Sequence, residues 1–212
     1  MQTAGVGILR LGSCKALATA ALIGAMLPGV AAAKVPTTNT LKIDIEASIG
    51  ERCGIAAVGA DSKDGGRIDV ATSVSFHFKL DCNTPFRIGV AAEQGALQLV
   101  DTGSAQEPRA GGLTAEGFAT RKPYIASLQF ATDQDGMVDA GDCNSDDLTS
   151  KRGDCDFFGN RPGTGFSAGR DSTAIGREGA LTVRWQGEDA QAVRLAAGTY
   201  QEVLTIVVGP RT

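Results

Sequence analysis

From Leu41 apolar and polar residues alternate, with Leu41, Ile43, Ile45, Ala47 and Ile49 on one face and Lys42, Asp44, Glu46 and Ser48 on the other. Successive side chains of a strand point to opposite sides of a sheet, so this period predicts a half-buried strand. It returns at Val74, Phe76, Phe78, Leu80 and Cys82, opposite Ser73, Ser75, His77, Lys79 and Asp81. Pro85 interrupts the period, and Phe86, Ile88 and Val90 resume it. Shorter runs at residues 97–100, 124–131, 181–186 and 200–208 predict further strands. Between them stand Asp64-Gly65-Gly66, Asn83-Thr84-Pro85 and Ala110-Gly111-Gly112, which are turn-forming clusters. Beyond residue 33 no window has a helical period, so the pattern predicts an all-β, antiparallel sandwich.

One stretch breaks the pattern. Residues 132–176 are rich in Gly, Asp, Ser and Arg, and their few apolar side chains include Met137, Val138, Leu148, Phe157, Phe158 and Phe166. A loop of that length is uncommon inside a compact domain. It reads as an insertion.

The N-terminus reads as a signal peptide over residues 1–33. Residues 1–15 hold two bases, Arg10 and Lys15, and no acid, and the next twelve residues carry no charge. Twelve residues of helix span about 18 Å, well short of the ~30 Å core of a bilayer, which speaks for export and against a transmembrane anchor. Pro28 and Gly29 end the apolar run, and Ala31-Ala32-Ala33 suits a peptidase, placing the cut before Lys34 and one domain at 34–212. Leu11-Gly12-Ser13-Cys14 has the residue types of a lipidation box but precedes the apolar run instead of following it.

Export changes the meaning of the cysteines. Cutting removes Cys14 and leaves Cys53, Cys82, Cys143 and Cys155, an even set suited to two disulfides in an oxidising compartment. Three pairings are possible. Cys53 with Cys82 and Cys143 with Cys155 is favoured, because the second pair then brackets a polar segment that could not order itself by burial. Zinc is disfavoured, for there is no Cys-x-x-Cys and one histidine.

Charge and candidate chemistry narrow the function. Without the signal's two bases the chain carries 18 bases against 24 acids, so nucleic acid is not an expected partner. His77 is the only histidine and falls on the polar face of its strand, leaving no acid–base–nucleophile set; no enzyme is expected. Asp133, Asp135 and Asp139 are the weak metal candidates, since oxygen-rich loops suit calcium. EF-hand spacing fails, however: with Gly136 at the sixth position, Ala131 stands at the first and Asp142 at the twelfth. Solvated loop acids are the favoured reading, and no cofactor is expected. Arg152-Gly153-Asp154 matches an adhesion tripeptide at the level of chance, and Trp185, alternating with Val183 and Leu181, reads as core.

The strand running into Cys53, the segment Asp81-Cys82-Asn83-Thr84-Pro85-Phe86, Gly95-Ala96-Leu97, the 181–185 strand and the closing stretch from Ala197 to Ile206 resemble, in that order, the spore coat protein U domain. That family is related to the pilin subunits of archaic chaperone-usher systems. The resemblance implies an immunoglobulin-like sandwich with a Cys53–Cys82 disulfide, completed between subunits by a donated strand. Leu41, Ile43, Ile45, Ala47 and Ile49 have the spacing for the donated side chains, or else form the domain's own first strand. The expected partners are sibling pilin subunits, a periplasmic chaperone and an outer-membrane usher, and the expected location is the periplasm, cell surface or pilus. The implied function is a non-enzymatic, secreted structural or adhesive subunit. The alternative is a stand-alone extracytoplasmic binding module acting through residues 132–176. Two departures stand out: family members often carry Asp where Glu202 stands, and the insertion exceeds what a plain fibre subunit needs.

Overall fold

The first regular element is not the alternating segment at residue 41. The computed structural model describes residues 43–101, 117–150, 154–188 and 193–211, and in it the first strand, β1, is Cys53–Val58. Ile43, Ile45, Ala47 and Ile49 lie in no strand, and Leu41, the signal segment and Cys14 fall outside the described residues. The reason for the shift is local. Cys53 pairs in register with Cys82, and from that rung β1 runs antiparallel along β2 (Thr72–Cys82) to Val58 opposite His77. Its own alternation, Cys53 and Ile55 half-buried with Gly54 and Ala56 exposed, is a weaker signal than the one upstream.

The remaining strands are β3 (Phe86–Ala92), β4 (Leu97–Asp101), β5 (Arg121–Lys122), β6 (Ile125–Thr132), β7 (Gly136–Asn144), β8 (Phe166–Ser167), β9 (Ala174–Trp185), β10 (Thr199–Gln201) and β11 (Leu204–Pro210). A 3₁₀ turn, Ser145–Leu148, follows β7. The strands form three sheets, ordered β1-β2-β9-β6-β7, β11-β3-β8 and β10-β4-β5, and every strand pair is antiparallel. Among the described residues no helix is long and apolar enough to cross a membrane.

Alternation explains the core. The inward residues of β2, β6 and β9 meet those of β3 and β11 in one buried cluster, with Leu80, Ile88, Leu128 and Phe130 each fully buried. Phe130 stacks its ring against Phe86 at 5.8 Å and, edge-on, against Phe166 at 6.1 Å. Trp185 is buried at the end of β9, under the backbone of Gly65, where a side chain would collide with the indole. Ala47–Thr212 forms one compact unit. Residues 43–46, the described part of the preceding unit, have no regular structure and are exposed.

Two expectations change here. The stretch 132–176 is not one structureless loop. It opens as the β6–β7 hairpin and closes inside β9, because Val138, Ala140 and Cys143 point inward while Gly141, at φ +89°, bulges the strand between Ala140 and Cys143. The run 200–208 divides into β10, paired with β4, and β11, paired with β3. The break is at Glu202, whose carboxylate accepts hydrogen bonds from the backbone N–H groups of Gln94 (3.0 Å), Ala96 (2.9 Å) and Val203 (2.9 Å).

Two disulfides are present, Cys53–Cys82 and Cys143–Cys155. Such bonds are at home outside the reducing cytoplasm.

Candidate functional site

Three features bear on function. The first is the alternating segment. Ile43, Ile45 and Ile49 are 71%, 89% and 88% exposed. Leaving an isoleucine in water forgoes about 1.5–3 kcal/mol relative to burying it, so three together make a surface in search of cover.

The second feature is the root of that segment. Asn83 lies just past the end of β2 and holds residues 50–52 as a further rung of the β1–β2 ladder. Its Oδ1 accepts from the Arg52 N–H at 2.8 Å, its Nδ2 donates to the Gly50 carbonyl at 3.1 Å, and its own N–H donates to the Arg52 carbonyl at 3.1 Å. Arg52 also pairs with Asp81 at 3.2 Å, and the Cys53–Cys82 bond closes the next position. Residues 50–52 are therefore held to a covalently tied base.

The third feature is the edge of β11. Among the described residues β11 pairs with β3 alone, from Leu204 opposite Ala92 to Pro210 opposite Phe86. Its other side faces β1, which lies beside it without a shared ladder. Ile55 of β1 and Leu204 and Ile206 of β11 are half-buried and pack on the core. The arrangement is an apolar edge whose backbone pairs, on this side, with no strand among the described residues, which is what an added strand requires. Because β1 starts and β2 ends at the Cys53–Cys82 rung, and β3 starts opposite Pro210, Gly50 and the end of β11 share a pole. The Arg211 N–H donates to the Pro85 carbonyl at 2.8 Å there.

The acidic candidates are not brought together. Asp133 receives Arg177 at 2.6 Å, the Thr173 hydroxyl and the Ile175 N–H. Asp135 accepts from the Ser172 hydroxyl at 2.7 Å, and Asp139 from the Gly141 N–H at 2.9 Å. Among the described residues no group of three or more His, Cys, Asp or Glu is placed to hold a metal ion. The hydrogen bonds from Arg177 and Thr173 hold the Asp133 carboxyl below its ordinary value, as Arg184 and Ser127 do for Asp142 on β7. These acids fasten the β6–β7 hairpin to β9. His77 is exposed on the outer face of β2.

An open depression of about 370 Å³ lies between the 93–94 turn and residues 201–203, with Val100 and Val203 on its rim. Of its two charged groups, Glu93 and Glu202, the second is already spent on backbone N–H groups, which makes it a structural joint. Beside it Tyr124 is buried, and burial, then the Glu202 charge, pushes its phenol above the ordinary value.

Sequence reasoning anticipated both disulfides, but it expected a half-buried strand from Leu41, where Ile43, Ile45 and Ile49 are exposed and in no strand. It missed the edge of β11 and the Asn83 clamp. The Asn83-Thr84-Pro85 cluster was a signal for a turn, but hydrogen bonds from Asn83 back to residues 50–52 span about thirty positions and leave no periodic trace. No protein-family model matches the chain, and no curated protein matches it.

Proposed function

We propose that this is an exported, pilin-like structural subunit that assembles by strand donation and performs no catalysis. The segment carrying Leu41, Ile43, Ile45, Ala47 and Ile49 of one copy adds to the β11 edge of another. The observation that carries the reading is the coexistence in one chain of an exposed alternating apolar segment and an apolar sheet edge with an open ladder. Each supplies what the other lacks: backbone partners for β11, and burial for three isoleucines.

The strand order supports an immunoglobulin-like sandwich lacking its last strand. With β1, β2, β9 and β6 as the A, B, E and D strands and β3 and β11 as C and F, the expected order of both sheets follows, and among the described residues no strand stands in the G position beside F. Cleavage before Lys34 leaves sixteen residues, 34–49, ahead of the Asn83 clamp. The partners of this reading are sibling subunits, a periplasmic chaperone that shields β11 until assembly, and an outer-membrane usher. Its location is the periplasm, cell surface or pilus.

The test is removal of residues 34–49 from the exported protein. Sedimentation and size-exclusion chromatography should show multimers for the intact mature chain and none for the deletion, and adding a peptide of residues 41–50 should raise the thermal midpoint of the deleted protein. Equal assembly with and without the arm would overturn the reading.

A further inference from the structure

We infer that the segment from Cys155 to Gly169 covers the second edge of β3, so that each copy accepts one donated strand, along β11, and no more. The inference rests on the strand-donation reading and gives it a stoichiometry.

A central strand has two edges. One side of β3 is taken by β11. The other would be open without the segment that follows Cys155. There the Val90 N–H donates to the Phe157 carbonyl at 2.9 Å, and the Gly159 N–H donates to the Val90 carbonyl at 3.1 Å. Further along, Phe166 and Ser167 of β8 pair with Ile88 and Arg87. An uncovered edge bearing alternate apolar side chains is a template for any extended apolar segment. The inward residues of β3, Phe86, Ile88 and Val90, have the same two-residue period as Leu204, Ile206 and Val208 of β11. An alternating arm that fits one edge would therefore fit the other.

The seat of the cover is built from glycine. A Cβ on Gly89 would stand 2.6 Å from the Cα of Gly159, so the two backbones meet only because residue 89 has no side chain, while a Cβ on Gly159 would press on Thr164 within the cover itself. At Gly165, φ +98°, a Cβ would collide with the Ile88 carbonyl. The cover also reaches β11: a Cβ on Gly209 would come within 2.6 Å of the Gly163 nitrogen. Four anchors hold it. Phe157 is fully buried, Cys155 is bonded to Cys143, Arg87 donates to the Gly165 carbonyl at 3.1 Å, and Arg211 donates to that of Gly169 at 3.2 Å. The far edge of the five-stranded sheet is defended otherwise, by the Gly141 bulge and by Asp139 and Asp142 on β7. One strand edge in the core layers is thus covered, one is charged, and the β11 edge facing β1 is left available.

The test uses the intact mature chain, its Gly89→Val variant, and Gly165→Ala as a second lesion that presses on Ile88 and Gly89 from the cover's side. Hydrogen exchange reports the cover through the amides of Val90 and Gly159, electron microscopy reports assembly form, and native mass spectrometry counts peptides of residues 41–50 bound per chain. The wild type should keep both amides protected, bind one peptide and assemble without branches. In whichever variant retains protection of β2 and β9, the Val90 and Gly159 amides should exchange about tenfold faster or more. That variant should bind a second peptide and form branched or amorphous assemblies. Exposed Val90 with one peptide and unchanged assemblies would overturn the inference while leaving strand donation intact. Two peptides on the wild type would overturn it as well. No peptide on any form would remove strand donation itself, and the inference with it.

Discussion

Glu202 shows how a single side chain divides a run of β-forming residues. Its carboxylate satisfies backbone N–H groups on both the 93–96 turn and its own backbone, so the chain turns there and leaves β10 for β11. Glu202→Ala should lower stability by about 2 kcal/mol in urea denaturation, since hydrogen bonds to a charged acceptor are lost and their donors left half-covered. Glu202→Asp, one methylene shorter, should fall between the two. A second residue-scale consequence concerns acid. Asp133 and Asp142 titrate below the ordinary carboxylate value in the folded chain. The stability they contribute is fully present above about pH 4 and is lost as pH falls through their lower folded values. Asp133→Asn should be less stable at neutral pH and should show a shallower loss of midpoint below pH 4 in thermal melts. Tyr124 runs the other way: its raised folded value means stability is lost only above about pH 10. Period-2 reading could place Phe78, Leu80, Ile88 and Trp185 inside, because each is set by neighbours two positions away. It could not place Glu202 or Asn83, whose partners are remote in sequence and set by the fold.

At the scale of elements, the strongest alternation in the chain runs through residues 43–49, which form no strand, while the weaker one at Cys53 does. Pattern measures fitness for a pleated, half-buried surface, and it does not say whose sheet supplies that surface. The β6–β7 hairpin was obscured for the opposite reason. Its acids suggested solvated loop, yet Asp133 and Asp135 are turn and fastening residues, and one bulge at Gly141 breaks the period that would have revealed β7. The cysteines, by contrast, were legible from number and compartment. Removing the Cys143–Cys155 bond in a Ser/Ser variant frees a loop of twelve positions and should cost about 3 kcal/mol on the chain-entropy estimate, measurable as a lower denaturant midpoint. The same variant should be cut faster by trypsin after Arg161, as the segment after Cys155 loses one of its anchors.

For the whole molecule the consequence of the proposed strand donation is that a single copy is incomplete. The exported chain produced alone should be either multimeric or of low thermal stability, and a peptide of residues 41–50 added to the arm-deleted protein should restore stability by RT ln(1 + [L]/Kd), about 2.7 kcal/mol at a hundredfold excess over Kd. Calorimetry with and without peptide checks this, and the same melts repeated with calcium or a chelator should coincide, since the carboxylates at 133, 135 and 139 are engaged in fastening the hairpin.

The clamp at the root of the arm has a mechanical meaning. In a row of such subunits held strand to sheet, tension enters each copy at Gly50, and the next covalent station is Cys53, bonded to Cys82 on β2. The load passes into a strand that lies inside the five-stranded sheet, paired with β9 along its length, and does not peel β1 away rung by rung. The disulfide works as a rivet at the point of traction. Subunits with that bond reduced should unzip from the arm end at lower force in single-molecule pulling, before the sheet as a whole gives way.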